Sequence, residues 1–211
     1  MFRLSAALAA AYAALAVLVA TGVTNGLDQW SVDHLMPGLG DASVKPSKTE
    51  AIVPLLHTSW DTPLAVLGNV VTLPAQALIG SALAAACWVT LARRGRTHAA
   101  LPWIIAWIAA NAIEVLCKSV LARPLLHHDG VPLWAFQSSW PSGHTLRSVL
   151  LAATVTAVWP TARRWVAAWA AASLVLLELD GFHVPTDIAG GLLLALLAAG
   201  LARREAAYER R

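Results

Sequence analysis

Six long apolar runs, separated by short polar stretches, dominate the chain. Each is about the length that a helix needs to cross a hydrocarbon core, roughly 20 residues. The runs cover residues 4–23, 72–92, 100–121, 142–160, 164–180 and 185–202. Only helices and closed barrels satisfy their backbone hydrogen bonds inside lipid. The pattern therefore predicts an all-α integral membrane protein, a six-transmembrane-helix bundle that forms one membrane domain over residues 1–211.

The connection between the first two runs is the longest polar stretch. Residues 25–62 mix Leu, Val and Trp with acids and prolines, which is typical of short amphipathic helices at a membrane interface. The following segment, Leu64 to Leu73, is apolar but is interrupted by Pro74. Because proline breaks a helix interior, the second crossing is expected to begin near Pro74. A re-entrant or tilted lead-in before Pro74 is the alternative.

Composition agrees with a membrane protein, since 58% of the 211 residues are hydrophobic and 13% are charged. The placement of arginines then predicts the orientation. Ten of the 15 Lys and Arg residues lie before the first run, in the second-to-third or fourth-to-fifth connection, or in the tail. The positive-inside rule makes those segments cytoplasmic and puts both termini inside. Nucleic acid is not an expected partner, because these arginines are dispersed in short loops.

The third run contains polar residues that lipid does not tolerate: Asn111, Glu114 and Lys118. Such groups should face the bundle interior and pair with one another. Glu114 and Lys118 are four residues apart and therefore share one helical face. Taken alone, they predict an internal salt bridge that holds the bundle together. Arg123, followed by Pro124, then ends the run.

A polar loop leads into the fourth run through the stretch from Trp140 to Arg147, which reads WPSGHTLR. Ser142 and Gly143 are expected to start a helix with backbone N–H groups open to an anion, which His144 would also face. Arg147 lies one turn below His144 and is expected either to pair with Glu114 or to reach the same anion. The alternative for the whole stretch is an ordinary helix cap with a histidine at the interface.

The sixth run opens with His183 and Asp187, four residues apart. In a helix, the Asp187 carboxylate can hold one imidazole nitrogen, which leaves the other as a base or a nucleophile. This spacing alone is weak, because many helices carry it by chance. A metal site at His127 and His128 is not expected, since two adjacent histidines and one aspartate supply too few ligands at the wrong spacing.

The predicted topology brings these groups to one membrane face. Two cations, a helix N-terminus and two histidines, one with a carboxylate, form a site suited to an anionic phosphate group and its cleavage. Neither a metal nor a cofactor is required. The residues predicted for this site are Lys118, Arg123, Ser142, Gly143, His144, Arg147, His183 and Asp187.

These motifs resemble the type-2 phosphatidic acid phosphatase family, a group of lipid phosphate phosphatases related to bacterial acid phosphatases and vanadium haloperoxidases. The resemblance covers about residues 100–200. Pro-Ser-Gly-His is intact at 141–144, and the His and Asp of the family's third motif match His183 and Asp187. Two features depart from the family pattern. Only four residues separate Lys118 from Arg123, where the family has six, and Leu176-Leu177 replaces the Ser-Arg pair of the third motif.

The resemblance implies a membrane phosphatase that hydrolyses a lipid phosphate or a polyprenyl diphosphate at the extracytoplasmic face of the cell membrane. In the implied mechanism His183, oriented by Asp187, attacks phosphorus and forms a phosphohistidine. His144 protonates the leaving oxygen. The phosphoryl oxygens are held by Lys118, Arg123 and the N–H groups of Ser142 and Gly143.

Two alternatives belong to other classes of protein. Because one arginine is missing, the first is a catalytically degenerate relative that binds or moves a phospholipid without hydrolysis. The second is a structural membrane protein whose internal charges only lock the bundle. The sequence indicates neither the particular lipid nor the oligomeric state.

Overall fold

The computed structural model describes residues 2–37 and 62–208. In those residues the chain is helical, apart from its loops and one two-stranded hairpin. The α-helices are α1 Phe2–Ala20, α2 Asn25–Leu35, α3 Pro63–Thr72, α4 Ala77–Arg93, α5 Thr97–Val120, α6 Gly143–Val158, α7 Arg163–Leu179 and α8 Pro185–Tyr208. The predicted all-α class is thus confirmed.

Three of these helices are long and apolar enough to span a membrane, namely α1, α5 and α8. A fourth span results if α3, its following 3₁₀ turn and α4 are counted as one segment. The two parts of this segment are bent by 45° at a short break. The break falls at Gln76, directly after the 3₁₀ turn Leu73–Ala75 that contains Pro74. Helices α6 and α7 have 16 and 17 residues, fewer than the roughly 20 that a full crossing uses. The finding is consistent with a membrane protein of several spans.

The predicted runs and the observed helices agree most closely where proline or a cap residue sets a helix end. The run 142–160 becomes α6, which begins after the Ser142 cap and ends before Pro160. The run 185–202 becomes the longer α8, which begins at Pro185. The interfacial segment contains α2, and its remaining part, residues 38–61, lies outside the described residues.

The largest apolar core lies between α4, α5, α6 and α8. It includes Trp103, Trp107, Leu146 and Leu150, which are almost completely buried. Large apolar side chains on the outward faces stay exposed, such as Ile105 and Ile108 of α5 and Val175 of α7. An exposed apolar surface of this extent is what lipid would cover.

A second, smaller core lies at the end of the bundle where α2 and the 121–142 loop meet α8. It contains Val32, Met36, Leu126, Leu133, Phe136 and Val184. The loop itself forms a hairpin of His127–His128 with Val131–Pro132. Its turn residues Asp129 and Gly130 both have positive φ, as the Asp-Gly turn of a two-residue hairpin requires. This core fixes the loop and α2 over the end of the bundle at which the candidate site lies.

Candidate functional site

The candidate site is built from the ends of four helices that meet at one end of the bundle. These are the last turn of α5, the first turns of α6 and α8, and the end of α7. The arginine-rich connections lie at the opposite end, where Arg94 and Arg96 donate to the carbonyls of Val158 and Ala157 at the end of α6. The antiparallel packing of the helices thus brings together the residues that the sequence predicted to converge.

His183 and Asp187 form the hydrogen bond that their spacing predicts. The His183 Nδ1 atom lies 3.2 Å from Asp187 Oδ2, and both side chains are buried. Because Nδ1 is used, Nε2 is the ring nitrogen left for a ligand. Burial lowers the pKa of His183, Asp187 opposes this shift, and the nearby Lys118 ammonium adds to it. His183 is therefore neutral near pH 7, as a nucleophile must be.

Asp187 is held by three further groups. Arg123 binds its Oδ1 atom through Nη2, and the Ser139 hydroxyl lies 2.5 Å from Oδ2. Its backbone carbonyl accepts a 2.9 Å hydrogen bond from the Ser142 N–H. The carboxylate is thus fixed from two sides, which orients the His183 ring.

His144 faces His183 from the first turn of α6. The two ring centroids lie 6.0 Å apart at an angle of 55°, and the Phe182 ring centroid lies 6.4 Å from that of His144. Within the described residues, the His144 ring has no hydrogen bond or ion pair. Its nitrogens are therefore open to a ligand that also contacts His183.

The first turn of α6 presents backbone donors beside His144. The Ser142 hydroxyl caps the helix by accepting from the Thr145 N–H at 3.2 Å. In the part of the chain that the structure describes, the N–H groups of Gly143 and His144 have no acceptor, as is usual at a helix start. The prediction that the Ser142 N–H binds an anion is corrected, because that group donates to the Asp187 carbonyl.

Lys118, Glu114 and Arg147 form a charged cluster next to the helix start. Lys118 Nζ lies 2.6 Å from Glu114 Oε1, and Arg147 Nη1 lies 3.3 Å from Glu114 Oε2. Arg147 also donates to the Ala75 carbonyl and to Asn111. The predicted pairing of Arg147 with Glu114 is therefore present. Lys118 keeps 31% of its side chain exposed, which leaves it able to meet a ligand.

Arg123, which the sequence predicted to bind phosphate, is buried between two carboxylates. Its side chain is 1% exposed, and its two terminal nitrogens bind the Asp28 and Asp187 carboxylates. These contacts favour a role in holding Asp187, and the binding of phosphate by Arg123 stays a prediction.

Several residues of the site escaped sequence reasoning. Asp28, Ser139 and Thr186 contact the Arg123–Asp187 pair, and nothing in their spacing indicated this. A Cβ atom on Gly190 would lie 2.5 Å from the Trp140 Nε1 atom, and one on Gly191 would meet the Ser142 carbonyl oxygen. The paired glycines after Asp187 were the available indication of a close approach between helices α6 and α8.

Leu177 occupies the place where the resemblance implies an arginine. Its side chain is 1% exposed, in the apolar interior, and its carbonyl accepts the His183 N–H at 3.0 Å. The position thus supports His183 through its backbone and contributes no charge. Among the described residues, no group of three or more metal-ligating side chains is found.

Gly143 gives a direct test of the packing in the charged cluster. A Cβ atom there would lie 2.8 Å from Arg147 Nη2 and would also contact Glu114 Oε1. We expect Gly143→Ala to push the ion pair apart and to lower the free energy of unfolding by about 1–3 kcal/mol, the usual cost of overpacking. Thermal unfolding of the purified protein in detergent measures the change.

Gly200 provides the matched control, because a Cβ atom there meets open space in the middle of α8. Gly200→Ala should leave stability unchanged or raise it by about 0.4–1 kcal/mol, through the entropy of the unfolded chain. Equal stabilities of the two variants would contradict the close contact at Gly143.

Comparisons of the chain with protein-family models, with curated proteins and with solved structures found no significant match. Function therefore has to be argued from the geometry of the site and from the motifs in the sequence.

Proposed function

We propose that the protein is an integral membrane phosphatase, a six-span bundle that hydrolyses a lipid phosphate or a polyprenyl diphosphate at the extracytoplasmic face. The observation that carries the proposal is the placement of His183, held by Asp187, opposite the unpaired ring of His144 at a helix start. One neutral, oriented histidine and one open histidine are the pair that phosphoryl transfer through a phosphohistidine requires.

In the first step, His183 Nε2 attacks phosphorus and a P–N bond forms while the bond to the leaving oxygen breaks. His144, which must enter this step in its protonated form, gives that oxygen its proton and becomes neutral. In the second step, His144 takes a proton from water, the water oxygen attacks phosphorus, and the P–N bond breaks to release inorganic phosphate. Asp187 stabilises the positive charge on the His183 ring in both steps.

The phosphoryl oxygens are held by Lys118 and by the free N–H groups of Gly143 and His144. A cation and helix N-terminal donors suit an anion in this position. Arg147 Nη2 is a further donor, since it makes no hydrogen bond within the described residues and points to Gly143. Arg123 is left out of this set and is assigned to Asp187.

Release of inorganic phosphate tests the proposal. The detergent-purified protein is incubated with lipid phosphates and polyprenyl diphosphates, with EDTA present, and phosphate is measured. Turnover of one of these substrates that is lost in His144→Ala is the expected result. Absence of turnover throughout the panel would overturn the proposal.

The alternative of a catalytically degenerate, lipid-binding relative is favoured by one observation. Arg123 and the Ser142 N–H are engaged by protein groups, and Leu177 carries no charge. Fewer groups are then left to stabilise a transition state. Binding of a lipid phosphate without phosphate release, removed by Lys118→Ala, would identify this function.

The proposed orientation can be tested at Val131 in the hairpin, which is 49% exposed. A cysteine there, in a chain with Cys87 and Cys117 replaced by alanine, should be labelled by a membrane-impermeant thiol reagent in intact cells. A cysteine at His98, an exposed position in the first turn of α5, is the control and should be labelled only after lysis. The reverse pattern would invert the topology.

A further inference from the structure

A buried carboxylate from α2 contacts the inner side of the candidate site. The Asp28 side chain has no exposed surface, although α2 lies in the connection between the first two apolar runs. Its Oδ2 atom lies 2.8 Å from Arg123 Nη1 and accepts from the Thr186 hydroxyl at 2.7 Å. Its Oδ1 atom accepts from the Thr186 N–H at 3.2 Å. Both oxygens are thus bound, and the position is well defined.

Arg123 connects this carboxylate to the catalytic pair. One terminal nitrogen binds Asp28 and the other binds Asp187, whose second oxygen faces His183. The groups form a row in the order Asp28, Arg123, Asp187 and His183, in which the charges of the first three alternate. A single arginine therefore serves two carboxylates.

Other contacts fix α2 against the same end of the bundle. The Ser31 hydroxyl, fully buried, donates to Glu178 at 2.8 Å near the end of α7. The Gln29 side chain donates to the His127 carbonyl at 2.6 Å and accepts from its N–H at 3.0 Å. Asp28 is therefore held by its helix as well as by its own hydrogen bonds.

We propose that Asp28 is a positioning residue for the phosphatase reaction, which shares Arg123 with Asp187 and so offsets the Arg123 charge that would otherwise weaken the attraction of Asp187 for His183. The role in turnover rests on the proposed function. Without Asp28, the full charge of Arg123 would act on Asp187 alone, and the support that Asp187 gives to a positively charged His183 ring would weaken.

The charged groups around His183 decide whether its pKa rises or falls when the charge of Asp28 is removed. Burial raises the pKa of Asp28, while the Thr186 hydrogen bond and Arg123 oppose that shift, and the ion pair with Arg123 at 2.8 Å favours the carboxylate form. Removing this charge makes the neighbourhood of His183 more positive by one unit and should lower the pKa of His183 further. The charged and titratable groups that face His183 are Asp187 of α8, Lys118 and Glu114 of α5, His144 of α6, and Arg123 behind Asp187.

Asp28→Asn tests the proposal, because asparagine keeps the shape and removes the charge. We expect kcat for lipid phosphate hydrolysis to fall by about tenfold, similar to the loss of outer groups that orient metal-binding histidines. The acid limb of kcat/KM should move to lower pH. A purely structural role would lower the yield of folded protein and leave the pH profile in place. Asp33→Asn is the matched control, since Asp33 is exposed on the same helix.

An NMR titration of His183 in the full-length, detergent-purified protein separates this inference from the proposed function. Its midpoint should be lower in Asp28→Asn than in the wild type and in Asp33→Asn, whether or not the protein hydrolyses lipids. Active Asp28→Asn protein with the wild-type midpoint and pH profile would overturn the role of Asp28 and leave the phosphatase proposal standing. A wild type that releases no phosphate would end the phosphatase proposal. The titration would still decide whether the charge of Asp28 affects the pKa of His183.

A second variant covers the case in which Asp28→Asn does not fold. Adding Arg123→Gln to Asp28→Asn removes the opposing pair of charges and leaves Asp187 without a cation. We then expect the His183 midpoint to return to the wild-type value or above it. A midpoint below the wild type in the double variant would overturn the proposal.

Discussion

His183→Ala is expected to abolish phosphate release from lipid substrates. The loss should be on the order of a thousandfold or more, as when the nucleophile of an enzyme is removed. The reason is that no other buried, carboxylate-held imidazole exists among the described residues. Phosphate release measures the loss, and rapid quenching of the wild type should trap phosphate that is acid-labile and base-stable, as a phosphohistidine is.

A control for this variant is His34→Ala. His34 is exposed on α2, where its Nδ1 atom donates to the Trp30 carbonyl at 2.8 Å and its ring stacks on Trp30. Its removal should leave turnover and trapping unchanged. Trapped phosphate on another residue of the wild type would end the assignment of His183 as nucleophile.

Arg147→Leu is expected to cause a large loss of stability. It leaves Glu114, which is buried at α5, with Lys118 as its one remaining ion-pair partner among the described residues. Breaking a buried pair by removing one member costs about 3–5 kcal/mol, and Lys118 should keep the loss near the lower value. Thermal unfolding in detergent, with Arg163→Leu as an exposed control, measures it.

The double variant Arg147→Leu with Glu114→Leu then separates two roles of Arg147. Replacing both members of a buried pair is often neutral, so the double variant should regain most of the lost stability. If Arg147 only forms the bridge, this protein should hydrolyse its substrate. If Arg147 also binds the phosphoryl group through Nη2, the protein should fold and lose most of its turnover. A double variant less stable than Arg147→Leu would contradict the compensation.

Sequence reasoning located the helices well because their ends carry local information. Pro185 starts α8 and Ser142 caps α6, and both features are visible as residue types next to apolar runs. The same reasoning paired Glu114 with Lys118, which share one face of α5. It also paired His183 with Asp187, although His183 lies just before α8 begins at Pro185. It also placed the two histidines at the same end of the bundle.

The role of Arg123 could not be predicted in the same way. Its carboxylate partners, Asp28 and Asp187, lie 95 and 64 residues away in the chain, and several other acids were available to it. Hydrogen-bond choice among distant groups depends on tertiary packing, which the spacing of residues does not contain. The same limit applies to the Ser142 N–H, whose acceptor is a backbone carbonyl of another helix.

Gly190 and Gly191, which follow Asp187 on α8, let α8 pack closely against Trp140 and the first turn of α6. Gly190 lies against Trp140 and Gly191 against the first turn of α6, where even a methyl group would force the helices apart. That displacement would widen the gap between His144 and His183, and a shift of about 1 Å in reacting groups can cost about a hundredfold in rate. The distance between His144 and His183 therefore depends on the absence of two methyl groups, at positions that have no chemistry of their own.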